Sequence, residues 1–311
     1  MDESAPAISI GKITKLFDYI FFLRPILHPP VWTIVILGFF RVPTANANSN
    51  LIYLLLLSST AASWAYIVNQ ISDIESDRIN HKLHFLPRGL ISLKAAYIMA
   101  GLALIITVVG ALLMAPIIGI LFTIGLIFGY IYSGKPFYGK NHPIISALSN
   151  GIAHGILPFL AGYIAAGGSW QAGAVFSLPY FFAVAAVFIG TTIPDIPGDL
   201  KSGKITLGVA LGVRVSTFIM TFYLAIALLL SLMVKDTFLI VVAGVSLPFY
   251  IAAIIVPTER RILIAIKLSI LLLSVAACIE FWPYALILIG LFVITRFYYR
   301  KRFGAVYPSL T

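Results

Sequence analysis

Charge is what this chain has least of. Charged residues fill 10% of its 311 positions, against the roughly 25% of an average soluble domain. Eleven of the charges are acidic and 21 are Lys or Arg, which gives a formal net charge of +10. Cysteine is nearly absent. The single Cys278 excludes an internal disulfide and reads as a packed thiol in an apolar run. The amino-terminal stretch has no basic region leading into a short apolar one, so no cleaved signal peptide is expected. The five histidines show no metal-ligand spacing, and His154 reads as a packed or hydrogen-bonded residue within a span. The basic residues are scattered between apolar runs. That fits loops facing anionic lipid and argues against a nucleic-acid partner.

Apolar sequence takes the place of charge. Hydrophobic residues make up 60% of the chain and the mean hydropathy is +1.03. Several uncharged runs reach the roughly 20 residues that cross a bilayer as a helix. The pattern predicts an all-α membrane protein, a bundle of nine or ten transmembrane helices around a central cavity. Spans are expected over 19–40, 51–71, 93–113, 115–132, 144–166, 174–194, 213–234 and 237–256. The last apolar stretch, 262–299, is interrupted by Glu280, Trp282 and Pro283 and reads as one broken helix or two. Three regions follow: a cytoplasmic segment 1–18, a transmembrane domain 19–299 and a basic tail 300–311.

The basic residues set the orientation. Arg78, Lys82, Arg88, Lys94, Lys135, Lys140, Lys201, Lys204, Arg260 and Arg261 all fall after even-numbered spans. The positive-inside rule puts those loops in the cytoplasm, with Lys235 the exception on the other side. Arg296 to Arg302 favours the cytoplasm too, which argues for ten spans. A plasma membrane location is expected.

Acids do little to set topology, so their placement carries other information. Asn69, Asp73 and Asp77 are spaced i, i+4, i+8 where an apolar run ends. On a helix they share one face, about 12 Å from first to last at a rise of roughly 1.5 Å per residue. Asp195 and Asp199 repeat the spacing after another run. Glu75 is out of phase and reads as solvated. Mg²⁺ binds through one or two carboxylates plus substrate phosphates, so two facing sets suit metal ions around a diphosphate. Asn69 adds a neutral oxygen. Arg24, Arg78, Lys135, Lys140, Lys201 and Lys204 are candidates to neutralise remaining phosphate charge. Tyr66, Tyr130 and Tyr132 lie near the same loops, where an aromatic face could shield a cation. The two acidic loops also form a weak internal repeat, and such repeats place sites at their interface.

The motifs together resemble those of the UbiA family of intramembrane prenyltransferases. Asn69, Asp73 and Asp77 match its first motif. Asp195 and Asp199, followed by Gly203, Thr206 and Leu207, match its second. Tyr132 and Ser133, then Lys140, are similar to the loop after its fourth helix, and Pro87, Gly89 and Ser92 to the segment after the first motif. The resemblance covers most of 20–215. It implies Asn69, Asp73, Asp77, Asp195 and Asp199 as Mg²⁺ ligands. It implies Arg24, Arg78, Tyr132, Lys140 and Lys204 as contacts to the prenyl diphosphate. It also implies nine spans, against the ten that charge favours. Three positions depart from or subdivide the pattern. Thr192 and Phe85 stand where many members have Asp and Arg, and Gln70 after Asn69 is similar to the chlorophyll-synthase and homogentisate branches.

The reaction expected is Mg²⁺-dependent prenyl transfer from a prenyl diphosphate to a small or lipophilic acceptor, such as a quinone precursor or a chlorin. The alternatives are a membrane terpene cyclase of the same family and a secondary transporter. Against the transporter, the acids sit at span ends rather than near the midplane.

Overall fold

The computed structural model describes residues 12–79, 85–201 and 203–308. His81, Lys82 and His84 therefore lie outside the described residues. No strand occurs among the described residues. In a bilayer only helices satisfy their own backbone without closing a barrel, so this follows from the apolar runs.

Helix α1 (Lys12–Phe22) and α2 (Pro29–Phe40) form the expected first span, but broken. Arg24 adopts a left-handed backbone (φ 54°) and Pro25, Pro29 and Pro30 follow. The two halves are bent by 54°. Helices α3 (Ser49–Ser72), α5 (Leu93–Met114) and α6 (Pro116–Ser133) follow, with the short α4 (Ile74–Ile79) after α3. Helix α7 (Pro143–Ala165) contains a π-helical turn over Gly151–Ile156. Then come α8 (Trp170–Thr191), the short α9 (Ile196–Lys201), α10 (Leu207–Val234), α11 (Thr237–Ile255), α12 (Glu259–Glu280) and α13 (Pro283–Phe303). In α10 the non-helical Gly212 (φ 72°) separates a first turn from the long part, which begins at the expected position 213.

Eight described helices are long and apolar enough to cross a membrane, and the bent α1–α2 pair makes nine. The last apolar stretch is two helices, α12 and α13. Helix α13 runs back along the first pair. Near its start Tyr284 donates to Pro29 O at 2.9 Å. Near its end Tyr298 and Arg302 bond Asp18.

Large apolar side chains on the spans face outward, Leu113 and Ile255 among the most exposed. Lipid covers such positions in place of water. With apolar surroundings on both sides, close backbone packing and polar bonds between helices hold the bundle. Helices α2 and α7 touch through glycines. A Cβ on Gly38 would lie 2.2 Å from Phe159 O, and one on Gly162 2.2 Å from Val35 O. Trp32 donates to Ser59 Oγ at 3.0 Å, and Thr60 shares a 2.8 Å bond with Thr107.

The acidic segments are more ordered than the long polar loops the sequence predicts. Residues 74–79 and 196–201 are helical, with Glu75, Asp77 and Asp199 in their first turns. Carboxylates there complement the positive end of the helix dipole.

Candidate active site

Asp73 caps α3, its N–H bonded to Asn69 O at 3.0 Å, and the Asp77 N–H reaches Asp73 O at 2.8 Å. The turn thus continues past the helix end, and the three side chains share a face. Asp73 and Asp77 are buried, while Glu75 is exposed and meets Arg78 at 3.7 Å. The second motif repeats this build: the Asp199 N–H donates to Asp195 O at 2.8 Å. Thr206 Oγ1 then donates to Asp199 Oδ2 at 2.9 Å, which ties that carboxylate to the start of α10.

One cavity of about 340 Å³ lies between α1–α2, α3, α6 and α7, and of the residues in the two acidic motifs it is Asn69 that lines it. Asn69, Tyr132 and Ser133 form its polar end. Asn69 Nδ2 donates to Ser133 Oγ at 3.1 Å, which leaves the amide oxygen as the atom suited to a cation. Tyr132 is hydrogen-bonded to Asn150 of α7 and lies within the electrostatic reach of Asp73, Asp199 and Asp195 together. This one residue therefore senses both motifs. Much of the remaining wall is apolar and small-sided, with Ala61, Ala62, Ala65, Gly125 and Gly129 leaving the space, while Ser149, Asn150 and His154 add polar groups from α7.

Lys140 Nζ donates to Asp73 Oδ1 at 2.5 Å and lies 4.6 Å from the Tyr138 ring centre. Burial pushes its ammonium below the usual lysine range, and the Asp73 carboxylate opposes that shift. Asp77 and Lys204 also act on it electrostatically, so the second loop reaches the first. Tyr138 donates to Ser72 O at 2.6 Å, and burial followed by Asp73 raises its phenol.

Arg24 lines the cavity, with Tyr66, Tyr299 and Tyr307 within its electrostatic reach. Arg78, Lys135 and Lys201 are exposed, and Arg78 turns to Glu75. Among the described residues no three Asp, Glu, His or Cys side chains converge as a metal cage. The donor set is oxygen throughout, arranged as two separate pairs plus an amide. That fits a Mg²⁺ ion that takes one or two carboxylates and completes its shell from phosphates and water.

The three departures have structural accounts. Thr192 is buried, donates to Ile189 O at 2.8 Å and accepts from the Gly208 N–H at 3.2 Å, so it joins α8 to α10. Phe85 is buried edge-on against Phe22 and Phe303. Gln70 is buried with its amide donating to Phe22 O at 3.0 Å, and its bonds run to α1 and along its own helix. The sequence reading did not single out Tyr138, Ser149 or Asn150. None carries a motif of its own, and only the fold brings Ser149 and Asn150 to the cavity and Tyr138 to the end of α3. His154, expected as a packed or hydrogen-bonded residue within a span, lies within α7 beside the Asn150 carbonyl and also lines the cavity.

The sequence profile of the UbiA prenyltransferase family matches residues 30–261. A digeranylgeranylglyceryl phosphate synthase from Sulfurisphaera tokodaii is 28% identical over 163 residues, 51% of this chain and 56% of that protein. A probable homogentisate phytyltransferase 2 from Oryza sativa is 29% identical over 158 residues, 46% of this chain and 40% of that protein. The chain thus spans about half the length of these curated relatives. Its fold is similar to that of a UbiA homolog from Archaeoglobus fulgidus bound to GPP and Mg²⁺. The TM-score is 0.67 at 20% identity, over 84% of this chain and 99% of that one. Motif order, helix count and profile agree: the chain belongs to the UbiA prenyltransferase family.

Proposed function

We propose that this protein transfers a prenyl group from a prenyl diphosphate to an acceptor inside the membrane, with Mg²⁺ as cofactor. The observation that carries the reading is Tyr132, placed at the polar end of an apolar cavity under the charges of both acidic motifs. Asn69, Asp73 and Asp77 on one side and Asp195 and Asp199 on the other would hold the metal. Bound Mg²⁺ supplies Lewis-acid charge that makes diphosphate a better leaving group.

The chain's own residues account for the rest. Lys140, bonded to Asp73, and Lys204, whose backbone N–H donates to Asp199 O at 2.9 Å, would neutralise diphosphate oxygens as charge develops on them. Arg24 reaches the cavity from the broken first span. The allylic carbon–oxygen bond breaks and its electron pair leaves with the diphosphate. The aromatic faces of Tyr66, Phe128 and Tyr132 shield the resulting cation, and the apolar walls keep water from it. The acceptor bonds to the allylic carbon and loses a proton. The basic loops favour the cytoplasm for this end of the bundle by the positive-inside rule, and the plasma membrane is the location we infer.

The test is purified protein in nanodiscs with labelled geranylgeranyl diphosphate, Mg²⁺ and a panel of phenolic, glyceryl-phosphate and chlorin acceptors. A chelator-sensitive product heavier by the acceptor is expected. A product equal to the substrate minus diphosphate and a proton would make the protein a cyclase instead. No Mg²⁺-dependent consumption of diphosphate by folded protein would contradict both.

A further inference from the structure

One wall of the cavity carries polar groups that the prenyl diphosphate does not explain. Ser149 and His154 of α7 both line it. Ser149 Oγ and His154 Nδ1 are buried and have no hydrogen-bond partner. Buried polar atoms without partners are uncommon in folded proteins, and each calls for an explanation. Other polar residues of the lining are already engaged: Tyr66 donates to Leu27 O at 2.9 Å, Asn69 to Ser133 and Asn150 to Ser146 O. The Asn150 carbonyl beside the His154 ring offers one acceptor, which leaves the imidazole a nitrogen for the cavity.

The backbone shows how the wall is built. The π turn over Gly151–Ile156 closes with the Leu157 N–H on Ile152 O. Its wider winding rotates His154 back toward the line of Ser149, five residues earlier. Such turns are frequent at functional sites. The opposite side of the turn is pressed on α8. A Cβ on Gly155 would lie 2.8 Å from Tyr180 O, and one on Gly151 2.5 Å from the Phe181 ring. With that side closed, His154 lines the cavity one turn beyond Asn150, and Ser149 lines it one residue before Asn150.

We propose that Ser149 and His154 form the acceptor's anchor and bind an uncharged hydroxyl group of it. This rests on the prenyl-transfer reading above. A hydroxyl donates once and accepts, so it can give its proton to the imidazole nitrogen and receive one from the serine. Helix α7 carries no Lys or Arg, and Arg24, the cation that lines the same cavity, serves the diphosphate in the reading above, so a carboxylate or phosphate buried against this wall would lack a counter-charge of its own. The anchor thus selects acceptors that present a neutral phenol or alcohol at this depth. Both are positioning residues.

The test uses 2-naphthol and 2-methoxynaphthalene, which differ in the hydroxyl, titrated into full-length protein in nanodiscs loaded with geranyl diphosphate and Mg²⁺. Taking the ratio of their affinities in wild type against variant cancels their different partition into lipid. Relative to wild type, the Ser149→Ala/His154→Ala double variant is expected to lose at least tenfold of the preference for naphthol. His154→Gln, which keeps a donor and an acceptor, retains part of it. Geranyl diphosphate affinity stays within twofold in both. Unchanged preference in the double variant, or in Ser149→Ala and His154→Gln singly should the double variant not fold, overturns the anchor. An equal loss of diphosphate affinity also overturns it, because the residues then serve the cavity generally. Failure of wild type to bind geranyl diphosphate with Mg²⁺ is a separate outcome that contradicts the prenyl-transfer reading itself.

Discussion

Lys140 Nζ and Asp73 Oδ1 lie 2.5 Å apart, both side chains buried. The pair joins the loop after α6 to the end of α3. It also sets charge against charge in a place that carries a metal and a diphosphate in the proposed reaction. Removing one partner of a buried pair leaves the other uncompensated, at a cost of about 3–5 kcal/mol. Lys140→Met should therefore lower the melting temperature without ligand. Added Mg²⁺ should raise it more than in wild type, because the ion replaces the lost positive charge. Scanning calorimetry with and without Mg²⁺ checks this. An equal Mg²⁺ response in both proteins would separate Lys140 from the metal site.

The C-terminal helix is tied to the first by Asp18. It accepts from Arg302 Nε at 2.9 Å, Arg302 Nη2 at 3.0 Å and Tyr298 Oη at 2.6 Å. Asp18→Asn keeps a partner for Tyr298 and removes a charge. Arg302→Met leaves the carboxylate buried with the phenol alone. Arg302→Met should destabilise the protein more than Asp18→Asn, and the double variant less than the sum of the two. Thermal unfolding in one detergent gives all three values, and additive losses would contradict the coupling.

Gly155 is placed where its helix meets α8, so Gly155→Ala must shift backbone rather than a flexible side chain. A cost of about 1–3 kcal/mol is expected from overpacking. Gly244→Ala and Gly290→Ala meet nothing within 4 Å and serve as controls that lose no stability. A Gly155→Ala protein as stable as these controls would show that the π turn can move.

Gln70, the residue after Asn69, is held by the packing of the first helices. Its side chain bonds α1 and its own helix. Gln70→Met should lower stability and leave the acceptor profile of the product panel unchanged. A changed acceptor preference at full stability would instead give that position a role in acceptor choice.

Much of this was legible because the relevant signals are local. An i, i+4 acid spacing after an apolar run implies one face at one span end, and the structure keeps both sets there. Span positions follow from length and hydropathy alone. The less legible features depend on partners distant in sequence. Asp18 and Arg302 are 284 positions apart, and neither is unusual in its own segment. Arg24 breaks the first span by a left-handed turn, where the sequence showed prolines and implied a bend. The π turn in α7 depends on glycines packed against α8, so its cavity-facing residues have no signature before the fold is known. Thr192 departs from the family pattern and Gln70 subdivides it. Burial gives both of them structural work at helix junctions instead.

The central claim is that two acidic motifs, 122 positions apart from Asp73 to Asp195 (195 − 73), serve one diphosphate. Calorimetric titration of geranyl diphosphate in the presence of Mg²⁺ tests it on wild type, Asp73→Asn and Asp195→Asn in nanodiscs. The account predicts saturable Mg²⁺-dependent binding to wild type and at least tenfold weaker binding to each variant, at unchanged helical content. Wild-type affinity in either variant would contradict it.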